Sequence, residues 1–295
     1  MKLTNLFSML GGLALFLYGM NMMSNGLEMA AGDKMKTILE KLTSNRILGV
    51  LVGALVTAII QSSSATTVMI VGFVNSGLMS LTSAVWVIMG ANIGTTITGQ
   101  LIAIDITAIA PLIAFIGVAM IVFFKSQKLD AIGGVIGGLG ILFIGMETMS
   151  SAMVPLRTMP EFVGLISKFQ NPFIGILVGA LFTALIQSSS ASVGILQALC
   201  STGILSYATV LPIIMGQNIG TCVTALLSAI GANKNAKRAA MIHLYFNLIG
   251  TVVFMILFYM IDAAVHFPFM TQMATPATIA ITHSVFNITA TLVWL

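Results

Sequence analysis

Long apolar runs, interrupted at a few places by short polar segments, make up most of this chain. No charged residue occurs in 47–104 or in 169–233. One membrane-spanning helix needs about 20 consecutive apolar residues, so each of these blocks has room for more than one crossing. The pattern therefore predicts an all-α polytopic membrane protein that lies in the cell membrane and passes through it several times.

The apolar runs repeat along the chain in one register. The segment GALVTAIIQSSSA at 53–65 returns as GALFTALIQSSSA at 179–191, and IMGANIGT at 88–95 returns as IMGQNIGT at 214–221. A third pair is GGLALFLYGM at 11–20 and GGLGILFIGM at 137–146, and all three pairs are 126 residues apart. A constant offset predicts that the chain contains two copies of one structural unit.

Each unit carries a polar break inside its most apolar part. In the first unit the apolar run 47–60 is too short to cross a bilayer, and Gln-Ser-Ser-Ser follows it at 61–64. As one straight helix, 47–77 would be about 46 Å long, whereas the hydrocarbon core is about 30 Å thick. Two short helices with the polar residues at their tip fit better. The pattern therefore predicts a re-entrant hairpin at 47–77 and a second one at 173–203.

A second polar interruption follows each hairpin. The segment Gly90-Ala91-Asn92-Ile93-Gly94-Thr95-Thr96 lies in the middle of an apolar run. We predict a transmembrane helix broken near its middle at 81–103, and its repeat at 207–231. The charged segment 25–46, which precedes the first hairpin, fits either an amphipathic helix at the membrane surface or a scaffold arm that holds the hairpin.

The number of crossings sets the relative orientation of the two units. A hairpin crosses nothing, so the first unit has three crossings, at 6–23, 81–103 and 106–124, and an odd number turns the second unit upside-down. With the N-terminus outside, nine of the twelve Lys and Arg residues fall on inner segments, as the positive-inside rule requires. The predicted organisation is repeat 1 at 1–126 and an inverted repeat 2 at 127–295, which also contains spans at 239–261 and 276–295.

Composition narrows the class of partner. The chain is 58% hydrophobic and 7% charged, and its net charge is +4. Because its basic residues form no dense run with interleaved aromatics, nucleic acid is not an expected partner, and the lipid bilayer is. Cys200 and Cys222 lie in apolar segments without a zinc-type spacing. None of the three histidines has a second ligand at metal spacing, so we assign them structural or surface roles. Glu147 is a carboxylate inside a predicted span and so a functional candidate, but it lies toward the outer end and we favour a structural role.

The polar tips provide a binding site made of neutral groups. Broken helices that meet inside a bilayer are typical of secondary transporters, because freed C=O groups bind cations and freed N–H groups bind anions. The candidate residues supply hydroxyl and amide groups to this region: Gln61, Ser62, Ser63 and Ser64; Gln187, Ser188, Ser189 and Ser190; Asn92, Thr95 and Thr96; Gln217, Asn218 and Thr221. No Lys or Arg lies in either hairpin, so cations bound together with an anion must balance its charge. This favours cation-coupled symport.

The doubled Gln-Ser-Ser-Ser-Ala, each copy followed by Gly-x-Asn-Ile-Gly-Thr, resembles the type II sodium–phosphate cotransporter family. The resemblance covers residues 6 to about 254. It implies sodium-driven uptake of inorganic phosphate by alternating access, with Na⁺ as the coupling ion and no other cofactor. It assigns phosphate to Gln61–Ser64 and Gln187–Ser190. It assigns sodium to the following set: Gln61, Ser64, Asn92, Thr95, Thr96, Gln187, Ser190, Gln217, Asn218 and Thr221.

The resemblance also suggests partners beyond the substrate. Bacterial members of the family often continue into a cytoplasmic PhoU-like helical domain, and this chain ends before any such domain. We therefore expect that the chain is truncated within a longer protein. A homodimer is a further expectation.

Two other functions stay open at this point. The same architecture could carry another oxyanion or a carboxylate. A membrane-embedded hydrolase that uses Ser63 or Ser189 as its nucleophile would need a base within hydrogen-bond reach, but neither uncharged block contains a His, Lys or Asp. The sequence therefore favours a transporter over an enzyme.

Overall fold

The described part of the protein is helical almost throughout. The computed structural model describes residues 3–31, 45–124 and 126–295. Within these ranges the backbone forms no strand, and the one isolated β-bridge joins Ser206 and Met273. The predicted all-α class is confirmed for this part of the chain.

The helices are numbered here in chain order. They are α1 (Leu3–Ala31), α2 (Arg46–Ile60), α3 (Ser63–Ser76), α4 (Leu81–Ile102), α5 (Ala110–Phe123), α6 (Gln127–Met153), α7 (Pro160–Lys168), α8 (Pro172–Ile186), α9 (Ser189–Cys200), α10 (Tyr207–Gly220), α11 (Cys222–Ser228), α12 (Lys234–Val265) and α13 (Pro276–Trp294). Short 3-10 turns occur at Thr107–Ile109, Val154–Thr158 and Pro268–Thr271.

Six stretches of the described chain are long and apolar enough to cross a membrane. They are Leu3–Ala31, Leu81–Ile102, Gln127–Thr158, Tyr207–Ser228, Lys234–Val265 and Pro276–Trp294. The predicted spans at 239–261 and 276–295 correspond to α12 and α13. The span predicted at 106–124 is a shorter segment, Thr107–Phe123, so its crossing stays a prediction.

The surface helix predicted at 25–46 is only partly described. Residues 25–31 continue α1 as one helix, so the first helix is longer than the predicted span at 6–23. Residues 32–44 lie outside the described residues.

The predicted break in the helix at 81–103 is wrong. Helix α4 runs without interruption from Leu81 to Ile102. The polar side chains that suggested a break bond instead to carbonyl groups of their own helix: Asn92 Nδ2 donates to Ile88 O at 2.9 Å, and Thr95 Oγ1 donates to Ala91 O at 3.0 Å. Because these polar side chains form their hydrogen bonds within the helix, they do not require the helical backbone to be interrupted.

The corresponding run in the second unit is divided, but only slightly. Helix α10 ends at Gly220 and α11 begins at Cys222, while the intervening Thr221 keeps right-handed helical angles (φ −58°, ψ −26°). Helix α11 ends at Ser228, three residues before the predicted end of the span at 231. The interruption is therefore a local irregularity and leaves no extended segment.

Each predicted hairpin consists of two short helices separated by a two-residue break. The first pair is α2 and α3, and the second is α8 and α9. Thr57 Oγ1 donates to Thr66 Oγ1 at 3.1 Å between α2 and α3, and Thr183 Oγ1 donates to Ser192 Oγ at 2.8 Å between α8 and α9. These contacts are 126 residues apart, so the two copies share their local geometry. That the hairpins are re-entrant stays a prediction.

Glycines bring the first helix of each pair against the long helix that follows. A Cβ at Gly53 on α2 would overlap the backbone of Val87 on α4, and a Cβ at Gly179 on α8 would overlap the backbone of Ile213 on α10. The glycines of the two Gly-x-Asn-Ile-Gly segments make the reciprocal contacts. These glycines therefore allow backbones to pack at close range, as small residues do between membrane helices.

A second glycine seam joins α1 to α6. A Cβ at Gly12 would lie 2.7 Å from Met149 N, and one at Gly26 would lie 2.6 Å from Ala131 O. Gly19, midway between them, lies so close to Leu142 that an added Cβ would overlap its backbone nitrogen. The spacing of seven residues keeps one glycine face of α1 against α6.

We predict that Gly19→Ala destabilises the protein by about 1–3 kcal/mol, because the added methyl group must separate two packed backbones. Gly11→Ala on the same helix is the matched control, since nothing lies within 4 Å of a Cβ at Gly11. The measurement is the melting temperature of the purified protein in detergent. Equal melting temperatures for the two variants would show that α1 and α6 are not packed as described.

Candidate functional site

The two tips have nearly the same backbone conformation. Gln61 has φ 58° and ψ 21°, and Gln187 has φ 59° and ψ 21°, which is the left-handed region. The serines that follow, Ser62 and Ser188, are extended. Within the described chain, His266 is the one further non-glycine residue with positive φ. A left-handed residue other than glycine is uncommon, so its occurrence at both tips singles them out.

The Gln-Ser-Ser-Ser sequence ends one helix and starts the next within two residues. The backbone N–H of Gln61 donates to Thr57 O at 2.7 Å, and the backbone N–H of Gln187 donates to Thr183 O at 2.7 Å. The hydroxyl of Ser62 then accepts from Ala65 N at 3.1 Å and caps α3. Serine is a favourable N-cap because its oxygen satisfies a free N–H of the first turn.

The two tips are in direct contact. Ser64 Oγ in the first tip donates to Gln187 O in the second tip at 3.0 Å. The residues are 123 positions apart in sequence, so the fold of the whole molecule makes this contact. The sequence analysis assigned both tips to one binding region, and the structure brings them together.

Thr98 on α4 links the same two tips from the side. Its hydroxyl donates to Gln61 Oε1 at 2.8 Å and accepts from Ser190 Oγ at 3.3 Å. The sequence analysis did not include Thr98 in the site. The sequence could have indicated Thr98 as a site residue, because Thr98 lies one turn beyond Thr95 and therefore on nearly the same face of the helix.

The tips are largely enclosed, although not equally. Gln61 and Ser63 are each 5% exposed, and Ser189 and Ser190 are 3% and 5% exposed. Ser62, Ser64 and Ser188 are half-buried, and Gln187 is exposed. Polar groups enclosed in this way strengthen each other's electrostatic interactions, because little water screens them.

The residues of α4 that the sequence predicts as sodium ligands form hydrogen bonds within their own helix. Asn92, Thr95 and Thr96 are all buried, and each donates to a carbonyl of α4 itself. Among the described hydrogen bonds, none joins these three side chains to a tip. Their remaining lone pairs are available as ligands, but the structure does not bring them together with Gln61 or Gln187 by a direct bond.

The sodium ligands predicted in the second unit make different contacts. Asn218 Oδ1 pairs with His283 Nε2 at 3.2 Å, and Thr221 Oγ1 donates to Gln217 O at 3.1 Å. Gln217 Oε1 is buried and has no hydrogen-bond partner in the described part of the chain. His283 was assigned a structural or surface role from the sequence, yet it is 1% exposed and touches a proposed site residue.

The electrostatics of the site depend on dipoles. No Lys, Arg, Asp or Glu occurs in α2, α3, α8 or α9 apart from Arg46, which lies at the far end of α2 from the tip. The N-termini of α3 and α9 lie at the tips, where the first N–H groups have no intrahelical partner and carry a partial positive charge. The described residues contain no group of three or more His, Cys, Asp or Glu that could hold a metal ion. An anion would therefore bind to N–H and hydroxyl donors.

A polar pocket of about 380 Å³ lies near the end of α4. Asp105, Glu147, Ser150, Ser201 and Thr275 are among the residues that line it. Ser150 Oγ also donates to Ala198 O of α9 at 2.9 Å. The pocket thus adjoins the second helix pair from the side where α4 and α9 end.

Comparison with known proteins identifies the family. The chain matches the Na⁺/Pi-cotransporter family over residues 15–151 and 158–275. The chain belongs to the Na⁺/Pi-cotransporter family. It is therefore a multi-pass membrane protein of a transporter family and not an enzyme. The resemblance stated from the doubled Gln-Ser-Ser-Ser motif is confirmed.

Two of the three relatives described next carry names that refer to phosphate. The chain is 32% identical over 84% of its length to YjbB of Salmonella typhimurium, provisionally named an inorganic phosphate export protein, and covers 46% of that protein. The chain is also 32% identical to the uncharacterized protein YqeW of Bacillus subtilis, over 81% of this chain and 78% of YqeW. A sodium-dependent phosphate transport protein 2A of Rattus norvegicus is 40% identical over 35% of this chain and 16% of the rat protein.

The chain spans about half the length of YjbB, the relative with the phosphate export name. No solved structure matches the chain described here.

We predict that Thr98→Val destabilises the protein by about 1–3 kcal/mol, because it leaves buried polar groups on both tips without their partner. Thr224→Val is the matched control. Thr224 is the residue 126 positions later, and its hydroxyl bonds within its own segment, to Thr221 O at 3.0 Å.

The measurement is the melting temperature of each purified variant in detergent. The link between the tips is contradicted if Thr98→Val melts at the same temperature as Thr224→Val.

Proposed function

We propose that the protein is a sodium-coupled symporter of inorganic phosphate that binds its substrates where the two tips meet. The observation that carries this proposal is the contact of Ser64 with Gln187, together with the bridge through Thr98. Non-helical backbone inside a bilayer is tolerated only when it is buried in protein or lines a cavity. Two such breaks in contact with each other support a shared binding site.

Phosphate would bind to the donors of the tips. The N-termini of α3 and α9 present N–H groups and partial positive charge, which suit an oxyanion. The buried hydroxyls of Ser63 and Ser189 can add further donors. The first-turn residues of both helices, Ser63 and Ser64 with Ser189 and Ser190, then form the phosphate-binding set.

Sodium would bind to the acceptors of the same region. Helices α2 and α8 end at the tips, so their last carbonyl groups and the side-chain oxygens of Gln61 and Gln187 are neutral ligands for a weakly held cation. Asn92, Thr95, Thr96, Gln217, Asn218 and Thr221 would complete these sites from α4, α10 and the residue between α10 and α11. Because neither hairpin carries a Lys or Arg near its tip, bound sodium would supply the charge that holds the anion.

The coupling between sodium binding and phosphate binding would follow from the charge balance at the site. If phosphate binds more tightly when sodium is present, sodium must bind more tightly when phosphate is present, by the same factor. A symporter of this kind runs in whichever direction the combined gradients favour. An inward sodium gradient would drive uptake, and the same protein would release phosphate under the opposite gradients.

Alternating access would require the contacts between the two tips to break, so that the site opens first to one side of the membrane and then to the other. We propose that the two hairpins are re-entrant and enter from opposite sides, as the odd number of crossings predicts. The contacts between the tips are few and uncharged, so their separation would break hydrogen bonds without exposing paired charges.

The coupling is tested in proteoliposomes with ³²P-phosphate. We expect phosphate movement down an imposed sodium gradient in either direction, and no such movement when potassium or choline replaces sodium. We expect Gln61→Ala and Gln187→Ala each to lower the rate by at least about tenfold, because each removes neutral ligands from the site.

The matched control is Gln100→Ala, which removes a glutamine from α4 that bonds Ser284 Oγ at 2.9 Å and not a tip. Competition by arsenate, sulfate and succinate tests the substrate class. Inhibition by succinate and not by arsenate would contradict the phosphate assignment, and a wild-type rate in either tip variant would contradict the site.

The inverted arrangement is tested by labelling from outside intact cells. Ser76→Cys and Ser201→Cys lie at the ends of the two helix pairs, and both serines are exposed. We expect a membrane-impermeant maleimide to label Ser201→Cys and not Ser76→Cys. The native Cys200 and Cys222 are buried and provide a low background. Labelling of both positions from the same side would rule out oppositely oriented hairpins.

A further inference from the structure

The 126-residue repeat relates two junctions, each between the end of one hairpin and a loop of the other unit. In the first junction, α3 ends beside the loop that joins α11 to α12. In the second, α9 ends beside the loop that joins α4 to the 3-10 turn before α5. The offset pairs Asn75 with Ser201 and Asn233 with Thr107. Two copies in equivalent surroundings would close both junctions alike, so a difference between them marks a departure from that symmetry.

The first junction is closed by hydrogen bonds of Asn233. Its backbone N–H donates to Asn75 Oδ1 at 2.7 Å, and its side-chain Nδ2 donates to Asn75 O at 2.8 Å and to Val74 O at 3.4 Å. Its Oδ1 caps α12 by accepting from Asn235 N at 3.0 Å and from Ala236 N at 2.9 Å. We call the contact of Asn233 with Asn75 the latch. Because both polar atoms of the Asn233 side chain are used, the end of α3 and the start of α12 are held in one geometry.

Apolar residues pack beneath the latch. Val74, Ala229 and Ala236 are 4%, 5% and 0% exposed, and they belong to one buried cluster between α3, α11 and α12. Closely packed apolar side chains leave no room for a hydrated ion. The first junction is therefore closed to solutes.

The second junction is open. Ser201 and Thr107 both line the polar pocket of about 380 Å³ near the end of α4. The hydroxyl of Ser201 donates to Gln197 O at 3.1 Å in its own helix, and the N–H of Thr107 donates to Asp105 Oδ1 at 3.3 Å in its own loop. The two residues that correspond to the latch therefore bond locally, and both border a cavity.

The charges near the two junctions differ in sign. Lys234, Lys237 and Arg238 lie in the first turns of α12, directly after the latch, whereas Asp105 and Glu147 line the pocket together with no Lys or Arg. Basic residues favour the inner side of a membrane, so the latch is expected inside and the pocket outside. In this orientation the inner junction is closed and the outer junction is open.

We propose that the latch is the inner gate of the transporter and that the pocket is the outer gate in its open form. When the site turns inward, the bonds of Asn233 to α3 break, and Ser201 approaches Thr107 so that the pocket closes. Asn75 and Asn233 are both exposed, so water can replace their hydrogen bonds and the gate can open without leaving buried polar groups unpaired. The proposal rests on the proposed alternating access and adds the residues that hold the inner side shut.

Cysteines at two repeat-related positions test the gate without sodium, phosphate or transport. Ala229 lies beneath the latch, and Ala103, which is 126 residues earlier, lines the pocket. In the purified protein, we expect a water-soluble maleimide to label Ala103→Cys at least about tenfold faster than Ala229→Cys, because the closed state predominates. The native Cys200 and Cys222 are buried and provide a low background.

Two substitutions remove the latch and keep the cap of α12. Asn233→Asp loses the Nδ2 donor but keeps an oxygen for the cap, and Asn75→Ala removes the Oδ1 acceptor. When both are added to each cysteine variant, we expect labelling of Ala229→Cys to become faster and labelling of Ala103→Cys to become slower, each by at least about threefold. The changes are opposite because the opening of one gate closes the other.

Asn171→Asp is the matched control. Asn171 caps α8 by accepting from Phe173 N at 3.0 Å and from Ile174 N at 3.4 Å, and its described side-chain hydrogen bonds use Oδ1 alone. We expect it to leave both labelling rates unchanged. Faster labelling of Ala229→Cys without slower labelling of Ala103→Cys in the latch variants would show that the latch supports local packing only. That result, or unchanged rates at both positions, would overturn the gate.

A disulfide keeps the proposal testable if the latch variants do not fold. We expect Asn75→Cys with Asn233→Cys, oxidised by copper phenanthroline, to lose ³²P-phosphate transport in proteoliposomes, and dithiothreitol to restore it, because the cross-link holds the inner gate shut. Full transport by the cross-linked protein would overturn the gate.

The failure of this proposal is separable from the failure of the proposed function. Opposite changes of the two labelling rates would support the gate even in a protein that does not transport phosphate. Sodium-driven phosphate transport with unchanged labelling in the latch variants would keep the proposed function and refute the gate.

Discussion

The structure depends on one constraint: where a helix is interrupted in an apolar surrounding, its free backbone N–H and C=O groups must still find hydrogen-bond partners. Each break leaves C=O groups on one side and N–H groups on the other, and an apolar surrounding makes every unpaired group costly. Gln61 and Gln187 take the left-handed conformation and bond back to Thr57 and Thr183. The serine that follows each glutamine caps the next helix, so part of the cost is offset by hydrogen bonds to residues three or four positions away.

Each break leaves its free helix ends at a tip, and the tertiary fold brings the two tips together. Ser64 and Thr98 connect the tips by hydrogen bonds between neutral groups. Such bonds are strong enough to hold one geometry and weak enough to exchange for a ligand. An arrangement of dipoles without fixed charge also makes anion binding depend on the cation, which is the physical basis of the coupling proposed here.

The two helix pairs share a local geometry but differ in their surroundings. Ser24 on α1 donates to Ile60 O at the first tip at 2.6 Å, whereas Ser150, 126 residues later, donates to Ala198 O. Gln61 is buried, and Gln187 is exposed. Two copies of one sequence thus occupy two environments in one structure, and an exchange of these environments is what alternating access requires. The glycine seams between α1 and α6 and beside α4 and α10 form the packed frame around them.

The sequence by itself determined the class, the positions of the helices on either side of each tip, and the neutral polar character of the residues at the tips. Apolar length, the 126-residue register and the absence of charge are properties of the chain read in order, and local capping rules act within a few residues. Only the tertiary structure decided that α4 is continuous, because Asn92 and Thr95 could bond either to a ligand or to their own helix. It alone decided that Thr98 joins the tips and that His283 reaches Asn218. Such choices between equivalent hydrogen-bond partners depend on which helices pack side by side, and residues far apart in sequence decide that packing.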